Sequence, residues 1–229
     1  MKKPLIIVNF KTYSNATGDK ALELAKIMEK VSKERKVTIA ASVQAVDLRT
    51  ISNAVEIPVL AQHFDLAGEG AFTGHIAAHS LQASGAFGSL LNHSEKRLSL
   101  DDIEESVDKA RQLGLFSVVC ADTVYTGKAV SELNPDLVAI EPPELIGGDI
   151  SVCTAQPQLI KDAVMLMGNE KVVVGAGVKT GEDVKAAVSY GAVGVLVSSG
   201  VTKSMNPEEV LNDLVDGLLG GERAFDHSL

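Results

Sequence analysis

The sequence predicts an α/β chain folded as a (β/α)8 barrel, eight parallel strands ringed by helices. Three observations lead there. Eight short runs rich in Val, Ile, Leu and Ala recur along the chain, at 5–9, 37–42, 59–63, 89–92, 117–121, 137–140, 171–175 and 194–197. Most are near-continuous apolar rather than alternating, as parallel strands covered on both faces must be. Amphipathic stretches separate them, and the 229 residues approach the roughly 250 that eight βα units typically occupy.

Taken in order, the first run ends in Asn9-Phe10-Lys11 and is followed by a helix over 21–31, where Leu24, Ile27, Met28 and Val31 share one face. The third run ends at Gln62-His63, before the glycine-rich stretch Gly70-Ala71-Phe72-Thr73-Gly74. The fourth ends in Asn92-His93-Ser94-Glu95, and the helix over 101–113 opens on acids, which suit a helix N-terminus. Gly85, Gly114 and Gly191 each stand just before a strand, as helix stops do. The sixth run ends abruptly in Glu141, followed by Pro142-Pro143-Glu144-Leu145-Ile146-Gly147-Gly148. A stiff start and a loose finish describe a movable lid over an acid. The last two runs end in small-residue loops, Gly175-Ala176-Gly177 and Ser198-Ser199-Gly200.

A doubly wound sheet with a dinucleotide fingerprint is the competing architecture. The Gly175-Ala176-Gly177 stretch lacks the third glycine, and no acid ends a strand some 20 residues later. No linker or charge block divides the chain, so one domain over 1–219 is expected, with 220–229 as a frayed tail beyond the last helix.

Composition sets further limits. The net charge of −9 leaves no basic stripe to replace counterions on nucleic acid. An anionic substrate must therefore be held by a local positive site rather than by the protein's overall field. Cys120 and Cys153 form no metal-ligand spacing, and both read as small packed residues. His75 and His79 could share a helical face as metal pairs do, but no third ligand accompanies them, so they read as surface histidines. His63 reads as a residue that packs or hydrogen-bonds locally. The opening Met-Lys-Lys-Pro leads straight into a strand, too short for a signal peptide or a membrane span, and the chain is expected in the cytoplasm.

In such barrels the active site lies at the C-terminal ends of the strands. The polar residues there are Asn9, Lys11, His93, Glu95 and Glu141. A lysine, a histidine and a carboxylate from three strands point to proton transfer on a small anion. The loops after strands seven and eight suit a phosphate, because backbone N–H groups at small residues and at a helix N-terminus point into the mouth.

These stretches, together with Ala61-Gln62-His63, Lys96-Arg97, Ala139-Ile140-Glu141-Pro142 and Gly194-Val195-Leu196-Val197, resemble the triosephosphate isomerase family in order and along nearly the whole chain. The short length, the Glu-Pro-Pro-Glu-Leu-Ile lid and the Gly-Ala-Gly loop look like its archaeal branch, whose members are compact and usually tetrameric. The resemblance implies cofactor-free interconversion of dihydroxyacetone phosphate and glyceraldehyde 3-phosphate, in glycolysis and gluconeogenesis. This family is itself a standard worked case of tuned carboxylate and imidazole chemistry. It implies Glu141 as the base, His93 as a neutral hydrogen-bond donor to the carbonyl, and Lys11 as fixed positive charge. Asn9 would contact the substrate and hold Lys11, and Glu95 would pair with Lys11. Phosphate would be bound by backbone N–H groups of Ile146, Gly177, Ser198 and Ser199. No metal or other cofactor is implied. The Phe72 loop would plug into a neighbouring subunit, giving a homo-oligomer, a tetramer or else a dimer.

Two positions depart from the family pattern. The lid reads Gly147-Gly148-Asp149 where Gly-Thr-Gly is common, which places an acid near the expected phosphate. Lys96 replaces an arginine, and lysine cannot reproduce a bidentate ion pair. The rival readings are another phosphate-binding barrel of amino-acid biosynthesis, which would lack the Asn-x-Lys, His and Glu set, and a catalytically silent barrel used as a binding module.

Overall fold

The computed structural model describes residues 1, 4–148 and 150–226; within these, nothing is said of the side chains of Arg223 and Asp226. Eight strands form a closed parallel barrel in sequence order, β1 Leu5–Asn9, β2 Thr38–Val43, β3 Val59–Ala61, β4 Gly88–Leu91, β5 Phe116–Ala121, β6 Leu137–Ile140, β7 Val172–Val174 and β8 Gly194–Val197. The helices around them are α1 Asp19–Arg35, α2 Ala45–Ser52, α3 Ala78–Ala83, α4 Leu100–Gln112, α5 Val124–Ser131, α6 Val152–Ala155, α7 Pro157–Met167, α8 Gly181–Ser189, α9 Ser199–Thr202 and α10 Pro207–Asp226. Each of the eight predicted runs thus overlaps one strand, with ends that differ by up to two residues.

Strand alternation divides the core in two. Leu5, Ile7, Ala40, Leu60, Leu90, Val118, Leu137, Ala139, Val173 and Leu196 fill the barrel interior. Their neighbours Ile6, Val8, Ile39, Ala41, Val119, Val138, Val172 and Val195 face the helices. Both faces are dry, which is why the strands read as continuous apolar runs. Small Ala40 and Ala139 complement large Leu60 and Leu90 in the interior, as side-chain layers inside a barrel require.

The helix ends follow local rules. Ser99 caps α4 by accepting from the Asp102 N–H at 3.1 Å, and Thr180 caps α8 through Asp183, each with the reciprocal carboxylate contact. Gly85, Gly114 and Gly191 have φ of 87, 67 and 97°, the left-handed conformation expected of the stops.

The run expected at 59–63 stops at Ala61. Gln62 and His63 leave the ladder to make side-chain hydrogen bonds at the barrel mouth. The expected tail also needs correction: α10 continues through Gly220-Gly221 to Asp226, so the helix does not end at 219. The glycines there serve close packing. A Cβ at Gly221 would lie 2.7 Å from Val188 Cβ and 2.8 Å from Lys185 O on α8. The part of that tail at 227–229, and Asp149 in the lid, lie outside the described residues.

The tightest point of this helix pair is Gly217, whose added Cβ would sit 1.9 Å from the Gly181 carbonyl oxygen. Gly217→Ala must push α10 off α8, an overpacking cost of about 1–3 kcal/mol. At roughly 2–4 °C per kcal/mol for a chain of this size, Tm is expected to fall by about 2–12 °C in a thermal melt.

Candidate active site

The C-terminal ends of the strands converge on one cleft, with about 450 Å³ of empty space including its open mouth. The parity that fills the interior also decides what reaches it. Leu5 and Ile7 point inward, so Asn9 follows at the mouth; Leu137 and Ala139 point inward, so Glu141 follows. Val173 and Leu196 bring Gly175 and Ser198 to the same level.

Asn9 is buried and its Oδ1 accepts the Lys11 N–H at 3.0 Å. This bond bends the chain so that Lys11 takes a φ of 48°. Gln62 completes the arrangement, its Nε2 donating to Lys11 O at 2.9 Å and to Asn9 Oδ1 at 3.3 Å. The Lys11 ammonium meets Glu95 Oε1 at 2.9 Å.

His93 is positioned by Asn92, which adopts φ 57° and ends the alternation of β4. Asn92 Nδ2 donates to Cys120 O at 2.9 Å, and its Oδ1 accepts the Leu98 N–H at 2.9 Å, locking the loop that carries the imidazole. His93 Nδ1 accepts the Glu95 backbone N–H at 3.2 Å. The Glu95 carboxylate also lies 3.5 Å from Nδ1, a contact that alone would favour a proton there. The backbone bond decides the tautomer, because a main-chain N–H cannot reverse its role and that carboxylate is engaged by Lys11. The ring proton is therefore on Nε2, which faces Glu141 Oε2 at 3.7 Å.

Glu141 is 7% exposed. Burial raises its pKa, partly opposed by His93, by a hydrogen bond from the Cys120 thiol beneath it and by Lys11. Its Oε2 has no hydrogen-bond partner, and neither does the buried Ser198 Oγ in the same cleft. A buried carboxylate with one oxygen unsatisfied, beside an N–H donor, can take a proton from a carbon seated against both groups while the donor stabilises an adjacent oxyanion.

Gly175 makes room for that carboxylate. It extends the β6–β7 register, in which Ile140 pairs with Val174, and a Cβ there would lie 2.6 Å from Glu141 Cγ and 2.7 Å from Oε1. Gly177, at φ 71°, lies against the end of the lid, where a Cβ would come 2.1 Å from Ile150 O. Among the described residues, the backbone N–H groups of Gly177, Ser198 and Ser199 have no acceptor. They line the cleft with the lid residues Ile146, Gly147 and Gly148. The Ile146 N–H is different, because it donates to Pro143 O at 3.2 Å inside a short 3-10 turn, Pro143–Leu145. In this conformation it is not offered to the cleft.

The remaining candidates are brought into place or set aside. His63 bonds Asp65 at 3.1 Å, and burial lowers its pKa despite that partner. Cys120 and Cys153 are buried free thiols; burial pushes Cys153 up to about 11. Among the described residues no cluster of His, Cys, Asp and Glu could hold a metal ion. Lys96 is exposed, and Arg97 makes the guanidinium pair, to Asp122 at 3.4 Å. Sequence reasoning gave no role to Gln62, Asn92 or Gly175. Only the strand-end position of the two amides marked them in advance, and nothing marked Gly175 beyond its place in the Gly-Ala-Gly loop.

The raised pKa of Glu141 predicts a pH-dependent stability change. An acid whose folded pKa lies above its unfolded value near 4.5 weakens the fold as pH rises through that window and beyond. Glu141→Gln is therefore expected to raise Tm relative to wild type at pH 8 and to leave it nearly unchanged at pH 4. Melts of both proteins at the two pH values check this.

The family model described as "Triosephosphate isomerase" matches residues 4–216 of this chain. A triosephosphate isomerase of Methanocaldococcus jannaschii is 48% identical over 215 residues, covering 92% of this chain and 98% of that protein. The triosephosphate isomerase of Methanothermobacter thermautotrophicus is 49% identical over 216 residues, covering 93% of this chain and 94% of its own length. Matches of this extent, on a barrel with this cleft, establish that the chain belongs to the triosephosphate isomerase family.

Proposed function

We propose that the chain, as an isomerase of triose phosphates, interconverts dihydroxyacetone phosphate and glyceraldehyde 3-phosphate with Glu141 as the proton carrier. The single observation that carries this reading is the pairing of Glu141 with the Nε2–H of His93 across 3.7 Å. Glu141 removes the proton from the carbon beside the carbonyl. The C–H electron pair becomes the enediolate double bond, and the carbonyl pair moves to oxygen. His93 donates to that oxygen through Nε2. The hydroxyl proton on the first carbon passes to the former carbonyl oxygen by way of that imidazole, so that the first carbon's oxygen becomes the new carbonyl. The protonated Glu141 returns its proton to the neighbouring carbon. Two adjacent carbons exchange oxidation level, so no external oxidant or cofactor is required.

Lys11 supplies positive charge near the oxyanion, and Asn9 holds both Lys11 and the substrate oxygens. The phosphate is read as bound by the N–H groups of Gly177, Ser198 and Ser199, joined by that of Ile146 when the lid closes. Closure would exchange the Ile146 bond to Pro143 O for one to phosphate and strip water from Glu141, strengthening it as a base. It would also keep the enediolate from losing phosphate. Among the described residues no helix is long and apolar enough to cross a membrane, which agrees with a cytoplasmic setting in glycolysis and gluconeogenesis.

A homo-oligomer is part of this reading. Phe72 is 43% exposed at a loop tip, where its ring meets His75 edge-on with centroids 5.9 Å apart. Tyr125, Met165 and Leu166 form a second exposed apolar patch. Two separate patches are what a tetramer with two kinds of interface needs, whereas a dimer needs one. Light scattering is expected to give a tetramer for the wild type and a dimer for a Tyr125→Glu, Met165→Glu variant. A wild-type monomer would overturn this.

The deciding experiment is turnover of glyceraldehyde 3-phosphate by the purified protein. Glu141→Asp retracts the carboxylate by one methylene, and Gly175→Ala displaces it by steric overlap. Each is expected to lower kcat by about a hundredfold, the scale of a 1 Å misplacement, with a smaller change in KM. An inactive wild type, or variants of unchanged kcat, would refute the assignment of the base.

A further inference from the structure

We propose that Asn92 is a positioning residue that sets the spacing between the His93 imidazole and the Glu141 carboxylate. It does so through β5, the strand that lies between the two groups. The inference rests on reading Glu141 and His93 as the reacting pair, and it concerns the coupling between them rather than the order of either loop.

The barrel order places β5 between β4, which leads to His93, and β6, which leads to Glu141. On the β6 side the main chain makes the join. Ala121 pairs with Ile140, and the Glu141 N–H donates to Ala121 O at 2.8 Å. The Cys120 thiol also donates to the Glu141 carboxylate. On the β4 side the paired register ends at Leu91 and Val119. Asn92 then turns to φ 57°, and among the described residues neither its N–H nor its C=O makes a main-chain hydrogen bond. Its side chain supplies the missing rung, with Nδ2 donating to Cys120 O at 2.9 Å. Two consecutive carbonyls of β5, on Cys120 and Ala121, thus hold the segments whose side chains face each other across 3.7 Å.

The chemistry of the position selects asparagine. While Nδ2 donates to Cys120 O, Oδ1 accepts the Leu98 N–H at 2.9 Å. One short side chain must therefore present a donor and an acceptor together, which a carboxylate lacking the donor cannot do. Asparagine also tolerates the left-handed backbone better than most residues. Asn92 is 4% exposed, so a lost partner leaves a buried polar atom unpaired instead of handing it to water. Because His93 is the next residue, a shift of Asn92 away from β5 passes directly to the imidazole, while Glu141 stays on Ala121.

The test compares wild type, Asn92→Asp and Asn92→Gly. Aspartate keeps the size and the acceptor for Leu98 but turns an oxygen toward Cys120 O. Glycine accepts the positive φ without strain, removes both bonds and adds no charge beside His93. Each variant is expected to lower kcat for glyceraldehyde 3-phosphate by roughly five- to fiftyfold, approaching the loss that a 1 Å misplacement brings. KM and competitive inhibition by inorganic phosphate should change less than about twofold, since the phosphate amides belong to the loops after β7 and β8. Intact inhibition also shows that the variant barrel is folded. Combined with Glu141→Asp, either substitution should cost less than the product of the two separate losses, because both act on one spacing. Wild-type kcat in either variant, phosphate inhibition weakened in step with kcat, or losses that simply multiply with Glu141→Asp overturns the proposal. A wild type without turnover overturns the reading of the reacting pair itself, a result distinct from an unaffected variant.

Discussion

Closure of the eight-stranded parallel ladder is the constraint on which the site depends. Each strand must bury both faces, and each hydrogen-bonds to two neighbours, so no strand can slip by one residue without turning its inner set outward. Asn9 and Glu141 reach the mouth because Leu5, Ile7, Leu137 and Ala139 are fixed inside the barrel. Gly175 stands beside Glu141 because β6 and β7 are held in register at Ile140 and Val174. The geometry of the cleft is therefore a consequence of how the core packs.

At the mouth, main-chain groups do much of the orienting. The Glu95 N–H fixes the His93 tautomer, the Lys11 N–H is held by Asn9, and Gln62 ties Lys11 O to the end of β3. The Lys11–Glu95 pair has one partner 61% exposed, and pairs of that kind contribute little to stability. Its consequence is positional, since it places a cation and sets the carboxylate beside His93. Glu141 is treated in the opposite way. It is held in a dry place with one oxygen unsatisfied, a local cost in stability that makes a carboxylate a stronger base.

The lid links these two ends of the site. Its hydrogen bonds are internal in this conformation, from Leu145 to Pro142, Ile146 to Pro143 and Gly148 to Leu145. A ligand that draws the Ile146 N–H away must offer a better acceptor, and a phosphate oxygen is one. Pro142 and Pro143 restrict the first hinge, while Gly147, at φ 72°, adopts at the other a conformation most side chains avoid.

Much of this was legible in the amino-acid order. The eight apolar runs, the glycine stops and the strand-end Asn9, Lys11, His93 and Glu141 are local patterns, written in periodicity and in polar residues that interrupt it. The end of α10 was misread, because Gly220-Gly221 looks like a stop in isolation and serves as a close contact with α8 only once both helices are in place. Gln62, Asn92 and Gly175 were likewise beyond sequence pattern, since each acts on a residue from another strand. The sequence by itself determined which elements form and which polar groups end them, through side-chain chemistry and spacing along the chain. Only the tertiary structure decided which group the His93 Nε2–H faces, how dry Glu141 is and what Gly175 must leave empty. Those depend on distances between strands far apart in the chain, which barrel closure alone sets.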